Sequence, residues 1–251
     1  MRKIERESLS ERTTWRLCDR TRQIHESASG QTTIGARVLS RKAMAKKLWA
    51  DERTTAFDEI EAKLRLMAPG NGQCVYCESG EASHLDHFWP KGKYPARAYD
   101  WKNYLWACAV CNSNHKRDQF PTDERGQPLL INPADDEPSD HLGFSSRTGQ
   151  YVGLTLKGTE SIRVFGLDRW VLEQGRRDAW PSVQSHIVHY ARNYEDDSEA
   201  ALEMQRVLCR SPYVGVFVAL LRVVDSEDAR LFVKPACLDA IAAHPEIRGW
   251  I

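Results

Sequence analysis

Two identical pairs of cysteines are the clearest chemical signal in the sequence. Cys74 and Cys77 form one CxxC pair, and Cys108 and Cys111 form the other. Two intervening residues let both thiolates of a pair bind one metal ion, and four thiolates complete the tetrahedral shell of a structural zinc site. A dithiol redox site is the alternative, but two matched pairs favour zinc. Four thiolates leave no open coordination position, so we expect this zinc to be structural and not catalytic.

The segment around the pairs carries a second set of reactive side chains. Asp86 can bind a hard divalent cation through oxygen, and His87 can accept a proton from water near neutral pH. Asn112 directly follows the second pair, where a helix would begin, and could direct its amide at the same ion. Taken singly, such residues are more typical of surface pairs and turns. The residues alone therefore leave a hydrolytic site and an ordinary polar surface both open.

Neighbouring residues in a strand impose a geometric condition on this site. Consecutive strand side chains point to opposite faces, so Asp86 and His87 cannot share a site on an ideal strand. We therefore expect the pair to lie at a strand end or a bulge. The turn indicated by Pro90 is consistent with that position.

From Cys74 to Lys116 the sequence resembles the zinc-stapled HNH endonucleases. The resemblance rests on a CxxC pair, then Asp-His with a proline three residues after the histidine, then Asn103-x-Leu. The second CxxC pair follows, with an asparagine directly after it and a lysine four residues beyond that asparagine. The resemblance implies an α+β fold, in which a ββα-metal nuclease core with a structural four-cysteine zinc is flanked by an N-terminal helix and a mostly helical C-terminal region.

The same resemblance implies a role for each polar residue. His87 matches the general base, Asp86 matches a ligand of a catalytic Mg²⁺ or Mn²⁺ ion, and Asn103 matches the residue that braces the loop holding the base. Asn112 matches the second ligand of that ion, and His115 remains the alternative to it.

The implied reaction is one-metal hydrolysis of DNA phosphodiesters, which leaves 5′-phosphate and 3′-hydroxyl ends. Lys91, Lys93, Lys116 and Arg117 could contact the phosphates of the backbone. Two alternatives remain open. One is a zinc-stapled nucleic-acid-binding or adaptor module that cuts nothing, and the other is a ribonuclease of the same architecture.

A more diffuse resemblance continues beyond the nuclease motif. It links the chain to the HNH components of Septu-type and some retron anti-phage systems, which work with an ABC-type ATPase. It implies a role in antiviral defence and an ATPase partner. The segments that carry it are Phe120-Pro121, Leu130 to Pro133, Asp136 to Pro138, His141 to Phe144, and Phe165 to Arg169 with Arg176 or Arg177.

Composition sets limits on the partners. The 251 residues include 35 basic and 35 acidic residues. Because the net charge is zero, any nucleic-acid site must be a local patch. The longest apolar run, 213–224, is interrupted by Arg222 and is too short to span a bilayer. No apolar signal segment begins the sequence, so we expect a cytoplasmic protein with no membrane association.

The pattern along the chain predicts four regions. Residues 1–70 form an N-terminal helical region, and residues 71–125 form the nuclease core with its zinc knuckles. Residues 126–166 form an ordered connection with a β-hairpin, which the loose alternation over 150–164 indicates. Residues 167–251 form a helical region without catalytic motifs of its own.

Local signals predict individual helices. Apolar residues spaced by three and four within 41–67 indicate a helix that the Pro-Gly segment after Met67 ends. Asp197 or Ser198 can cap a later helix, and Pro235 can begin another. Residues 1–70 carry a basic surplus of five, which we interpret as a solvated face.

Overall fold

The computed structural model describes residues 1–50 and 55–251, and it confirms the predicted α+β class. The described part is mostly helical, with two small antiparallel sheets. The strands are β1 (His84–His87), β2 (Tyr104–Ala107), β3 (Leu142–Phe144) and β4 (Tyr151–Gly153). The helices are α1 (Glu11–Glu26), α2 (Ile34–Ala50), α3 (Thr55–Met67), α4 (Leu156–Phe165), α5 (Trp170–Asn193), α6 (Ser198–Arg210), α7 (Gly215–Val224), α8 (Ala229–Phe232) and α9 (Pro235–Ala243).

Strands β1 and β2 form the sheet on which the candidate site is built. They pair antiparallel, with His84 opposite Ala107 and His87 opposite Tyr104. The first cysteine pair precedes β1, and the second directly follows β2. The chain then forms a π-helix, Val110–Lys116. This type of winding is rare and often occurs at functional sites.

The N-terminal region contains three helices where the sequence predicted one. The side chain of Ser10 accepts a hydrogen bond from the N–H of Thr13 and caps α1. The helix predicted over 41–67 spans residues 51–54, which lie outside the described residues. On either side of them are α2 and α3, and α3 ends at Met67 as the Pro-Gly segment predicted.

The hairpin predicted within 150–164 is wrong in position. The actual hairpin joins β3 to β4, and most of the predicted segment is helix α4. The side chain of Thr155 accepts a hydrogen bond from the N–H of Gly158, which favours a helix start. Gly166 ends α4 with a φ of 60°, a conformation that glycine adopts without steric cost. The caps at both ends of α4 therefore favour a helix more strongly than the weak alternation of apolar residues favours a strand.

The C-terminal helices form a second hydrophobic cluster, and the segment that leads into α7 contacts the loop after the first cysteine pair. Asp197 caps α6 and Pro235 begins α9, and both starts confirm the sequence prediction. The main-chain N–H of Tyr213 donates to the carbonyl of Glu78, and its hydroxyl lies 2.9 Å from the Ser79 hydroxyl oxygen. These contacts fasten the helical region to the loop that follows Cys77.

No single helix in the described ranges is both long and apolar enough to cross a membrane. Helices α6 and α7 pass the same test of length and composition only as a pair, and the pair is bent by 109° at its junction.

Candidate metal centre and active site

The four paired cysteines meet in one buried cluster. The sulfur atoms of Cys74, Cys77, Cys108 and Cys111 all lie within 4.8 Å of one another. The sulfurs of Cys77 and Cys108 are 3.9 Å apart, and tetrahedral Zn–S bonds of about 2.3 Å would place sulfurs about 3.8 Å apart. Burial raises the pKa of the Cys74 thiol well above its ordinary value. A bound cation would offset that effect, so this cluster could hold a structural metal ion.

Hydrogen bonds to the main chain and to sulfur shape the loops that carry these cysteines. The N–H of Cys111 donates to the sulfur of Cys108 at 3.4 Å, and the N–H of Cys74 donates to the carbonyl of Gly80 at 3.0 Å. Arg169, the residue before α5, donates from Nη2 to the sulfur of Cys111 at 3.3 Å. A guanidinium at this distance favours the thiolate form of the cysteine, because opposite charges attract.

Asp86 lies near the end of β1 and is almost fully buried. Its Oδ1 accepts a hydrogen bond from the ammonium of Lys116 at 2.7 Å, and its Oδ2 accepts one from the hydroxyl of Tyr76 at 2.5 Å. The ring of Tyr76 stacks on Phe165 of α4. Both carboxylate oxygens are therefore engaged by the protein itself.

His87 is the last residue of β1 and faces the N-terminal helices. Its Nε2 lies 2.9 Å from the carbonyl oxygen of Ala98, so Nε2 carries the proton. Its ring packs against Trp49 and Tyr104 at centroid distances of 4.6 and 5.2 Å. Burial lowers the pKa of His87 to about 3, and the nearby charge of Lys91 adds to the shift. The imidazole is therefore neutral at pH 7, and its Nδ1 has a lone pair.

Asn103 ties together the loop that follows β1. Its Oδ1 accepts a hydrogen bond from the N–H of Trp89 at 2.7 Å. Its Nδ2 donates to the carbonyl of Trp89 at 3.0 Å and to the carbonyl of Arg97 at 2.9 Å. Its own carbonyl accepts from the N–H of Phe88. These four bonds place Ala98, the acceptor for His87, next to the imidazole.

The structure does not bring Asp86, His87 and Asn112 into contact. Asp86 and His87 leave β1 on opposite sides, as consecutive strand residues do. Nothing in the described ranges makes a hydrogen bond with the side chain of Asn112. The ring of His115 packs closely against Gly166, where a side chain would lie 2.4 Å from Nδ1. The convergence of these groups on one cation therefore stays a prediction.

The four basic residues expected at phosphates occupy different surroundings. Lys116 is fully buried, against that expectation, because its ammonium also donates to the main-chain oxygen of His87 at 2.6 Å. Lys91 places its ammonium 4.8 Å from the ring centre of Trp49. Lys93 lies at the surface near Asp118. Arg117 is exposed, with an unusual φ of 51°.

Sequence reasoning missed two residues that shape the site. Tyr76 lies between the cysteines of the first pair, a position that the metal motif itself leaves open. Trp49 lies on α2 and contacts the imidazole of His87 across a sequence separation that no local pattern reveals. Arg169, by contrast, belongs to a segment that the diffuse resemblance included.

Comparison with known proteins supports the subfamily resemblance. No model of a known protein family matches the chain. Septu protein PtuB of Bacillus mycoides (strain KBAB4) is 28% identical over 193 residues, which are 61% of this chain and 65% of that protein. Septu protein PtuB of Bacillus thuringiensis is 32% identical over 112 residues, which are 43% of this chain and 41% of that protein. The chain thus matches less than two thirds of the length of either relative.

Replacing Cys108 by serine should remove one of the four sulfurs and reduce the metal bound per chain. Thermal stability and soluble yield should fall with it, because the free energy of metal binding is part of the free energy of folding. Elemental analysis and a thermal melt measure both. The exposed Cys18→Ser variant is the control and should keep its metal. Unchanged metal content in Cys108→Ser would contradict a metal centre.

Replacing Asn103 by aspartate should loosen the loop after β1. A carboxylate cannot donate to the carbonyls of Trp89 and Arg97, and each buried carbonyl left without a partner costs about 1–3 kcal/mol. Urea denaturation should show this loss in the free energy of unfolding. The matched control is Asn114→Asp, at an exposed position of the π-helix. Equal stability of the two variants would show that Asn103 does not brace the loop.

Proposed function

We propose that the chain is a zinc-stapled HNH endonuclease of the ββα-metal type that hydrolyses DNA phosphodiesters with His87 as the general base. The observation that carries this proposal is the geometry of His87: a buried imidazole at the end of β1 whose Nε2–H is fixed on the carbonyl of Ala98. A fixed tautomer of this kind leaves Nδ1 as the acceptor for a proton.

Zinc is the metal that the cysteine cluster fits best. Four thiolates with a spacing close to tetrahedral form the usual structural zinc site. In this proposal the zinc joins the loop before β1 to the loop after β2, at the end of the strand pair where His84 lies opposite Ala107. The ion thereby fixes β1, which carries the base, relative to the π-helix.

In the proposed reaction His87 accepts a proton from the attacking water. General-base catalysis of this kind contributes about 10²–10⁴-fold to a rate. Asn103 acts as a positioning residue, since it holds the loop whose Ala98 carbonyl orients the imidazole. Lys91 lies at the edge of the site, where its charge could offset that of a phosphate.

The family resemblance also implies a divalent cation on Asp86 and Asn112. The oxygen ligands suit Mg²⁺ or Mn²⁺ chemically. The arrangement in this structure does not fit such an ion, because Lys116 and Tyr76 already bind the two oxygens of Asp86. No step of the reaction is therefore assigned to the cation here.

A role in antiviral defence with an ABC-type ATPase partner extends the proposal. It is supported by the two relatives named Septu protein PtuB and by the segments downstream of the nuclease motif. Co-purification of the chain with an ATPase encoded next to it tests the partnership. A self-sufficient active monomer would argue against it.

The nuclease proposal is tested by comparing His87→Ala with His84→Ala. Plasmid nicking with Mg²⁺ or Mn²⁺ should fall by at least about 100-fold in His87→Ala, since the base is lost. His84 lies exposed at the other end of the same strand, so its variant should cut normally. EDTA should stop nicking by the wild type.

The outcomes separate the competing functions. Retained cleavage by His87→Ala would refute His87 as the base. DNA binding without any cleavage would favour the adaptor alternative, and preferential digestion of RNA would favour the ribonuclease.

A further inference from the structure

Helix α2 carries an unusual concentration of positive charge. Its 17 residues include five basic residues and no acidic residue. The basic residues are Arg37, Arg41, Lys42, Lys46 and Lys47. None of them forms an ion pair within residues 1–50 and 55–251, whereas α1 and α6 carry pairs such as Arg22–Asp19 and Arg206–Glu203. Most of this charge faces the solvent, since Arg37, Lys42, Lys46 and Lys47 are exposed.

The face of α2 that points toward the candidate site is defined by spacing. Lys42, Lys46 and Trp49 stand at positions i, i+4 and i+7, so they follow one another along a single face. Lys42 and Lys46 are exposed and rise about 6 Å apart along the axis. Lys47 is also exposed but lies about 100° around the helix from Lys46. Of these two faces, only the one that carries Lys42 and Lys46 also carries Trp49.

Trp49 connects this charged face to His87. Its indole packs against the imidazole with 4.6 Å between ring centres. On the same indole, the ammonium of Lys91 lies 4.8 Å from the ring centre. Lys42, Lys46 and Lys91 thus form a series of cations, here called the α2 track, that ends beside the proposed base.

We propose that the α2 track binds the phosphate backbone of the DNA strand that is cut and directs it to His87. This inference rests on the proposed function and names its substrate surface. A polyanion is the partner that complements a row of cations without carboxylates. The zero net charge of the chain makes such a local row necessary for DNA binding.

The test compares neighbouring lysines on different faces of α2. Binding of a short fluorescein-labelled DNA duplex is measured by anisotropy in EDTA at several KCl concentrations. Lys46→Ala should weaken binding and reduce the slope of log K against log[salt] by about 0.9, the value for one phosphate contact. The double variant Lys42→Ala/Lys46→Ala should lose about twice as much. Lys47→Ala, with the same change in charge, should have a clearly smaller effect.

The alternatives give different results. Equal effects of Lys46→Ala and Lys47→Ala, or no effect of the double variant, would overturn the α2 track. A dependence on Lys46 seen only with an RNA duplex would overturn DNA as its ligand. If the chain cleaves DNA but its affinity for DNA does not depend on Lys46, the α2 track is refuted and the proposed nuclease function is not. A chain that neither binds nor cuts DNA would refute the proposed function itself.

A second, independent observation concerns the buried pair of Asp86 and Lys116. The ammonium bridges the carboxylate and the main-chain oxygen of His87, at 2.7 and 2.6 Å, and both side chains are almost inaccessible. Two oxygen atoms around one positive charge resemble what a divalent cation would find there. The divalent cation that the family resemblance implies and the Lys116 ammonium would therefore compete for the carboxylate of Asp86.

We infer that Lys116 is an internal counter-ion that takes the place of a divalent cation on Asp86, so the intact pair does not fit one. A carboxylate cannot satisfy both charges within one small buried space, since the two cations repel each other. Withdrawal of Lys116 would free Oδ1 of Asp86 beside the main-chain oxygen of His87.

Titration with Mn²⁺ alone, without DNA, tests the counter-ion. Lys116→Met should bind Mn²⁺ more tightly than the wild type, by a factor in the range of about 5–150 that is typical of coupled binding. Its melting temperature without Mn²⁺ should fall, and Mn²⁺ should raise it more than in the wild type. Lys157→Met is the matched control, because it also breaks a lysine–aspartate ion pair. The ammonium of Lys157 lies 2.8 Å from Oδ1 of Asp136. That control should leave Mn²⁺ binding unchanged.

A second variant separates competition from simple destabilisation. Asp86→Asn/Lys116→Met removes both charges and should lose the gain in Mn²⁺ affinity, whatever its stability. Wild-type or weaker Mn²⁺ binding by Lys116→Met would overturn the counter-ion, and so would a gain that persists in the double variant.

Discussion

The convergence of four sulfur atoms is the constraint on which the site depends. The two cysteine pairs are separated by 30 residues, and a two-stranded sheet alone is only marginally stable in water. Joining the loop before β1 to the loop after β2, at the end where His84 lies opposite Ala107, fixes the register of the strands. That register places Asp86 opposite Leu105 and His87 opposite Tyr104. The positions of the proposed base and of the buried carboxylate follow from it.

The pleat of β1 then divides the site into two sides. On one side His87 meets aromatic rings and a single carbonyl, an environment that keeps the imidazole neutral. On the other side Asp86 meets a cation and a hydroxyl, which keep the carboxylate engaged. Chemistry that needs both residues therefore requires a group or a movement that links the two sides. Lys116 contacts Asp86 through its carboxylate and His87 through its main-chain oxygen.

The sequence predicted those features that depend on short spacings. The CxxC pairs predicted the cysteine cluster, and Asp197 and Pro235 predicted helix starts, because ligand spacing and capping act within a few residues. Sequence patterns could not predict the burial of Lys116, since its partner Asp86 is 30 residues away. Helix α1 and the first turns of α2 were missed because weak periodicity hides helices that tertiary packing stabilises. The charge on α2 was visible, but its direction toward His87 required the contact of Trp49.

The unusual winding of Val110–Lys116 has a consequence for how this chain could change. A π-helix closes its hydrogen bonds one residue further along the chain than an α-helix, so each of its turns holds an extra residue. Deleting one residue between Cys111 and Lys116 would restore ordinary winding and rotate the lysine by about 100° about the helix axis. Its ammonium would then leave the carboxylate of Asp86. One codon therefore separates a chain whose Asp86 is engaged by Lys116 from one whose Asp86 has lost this partner.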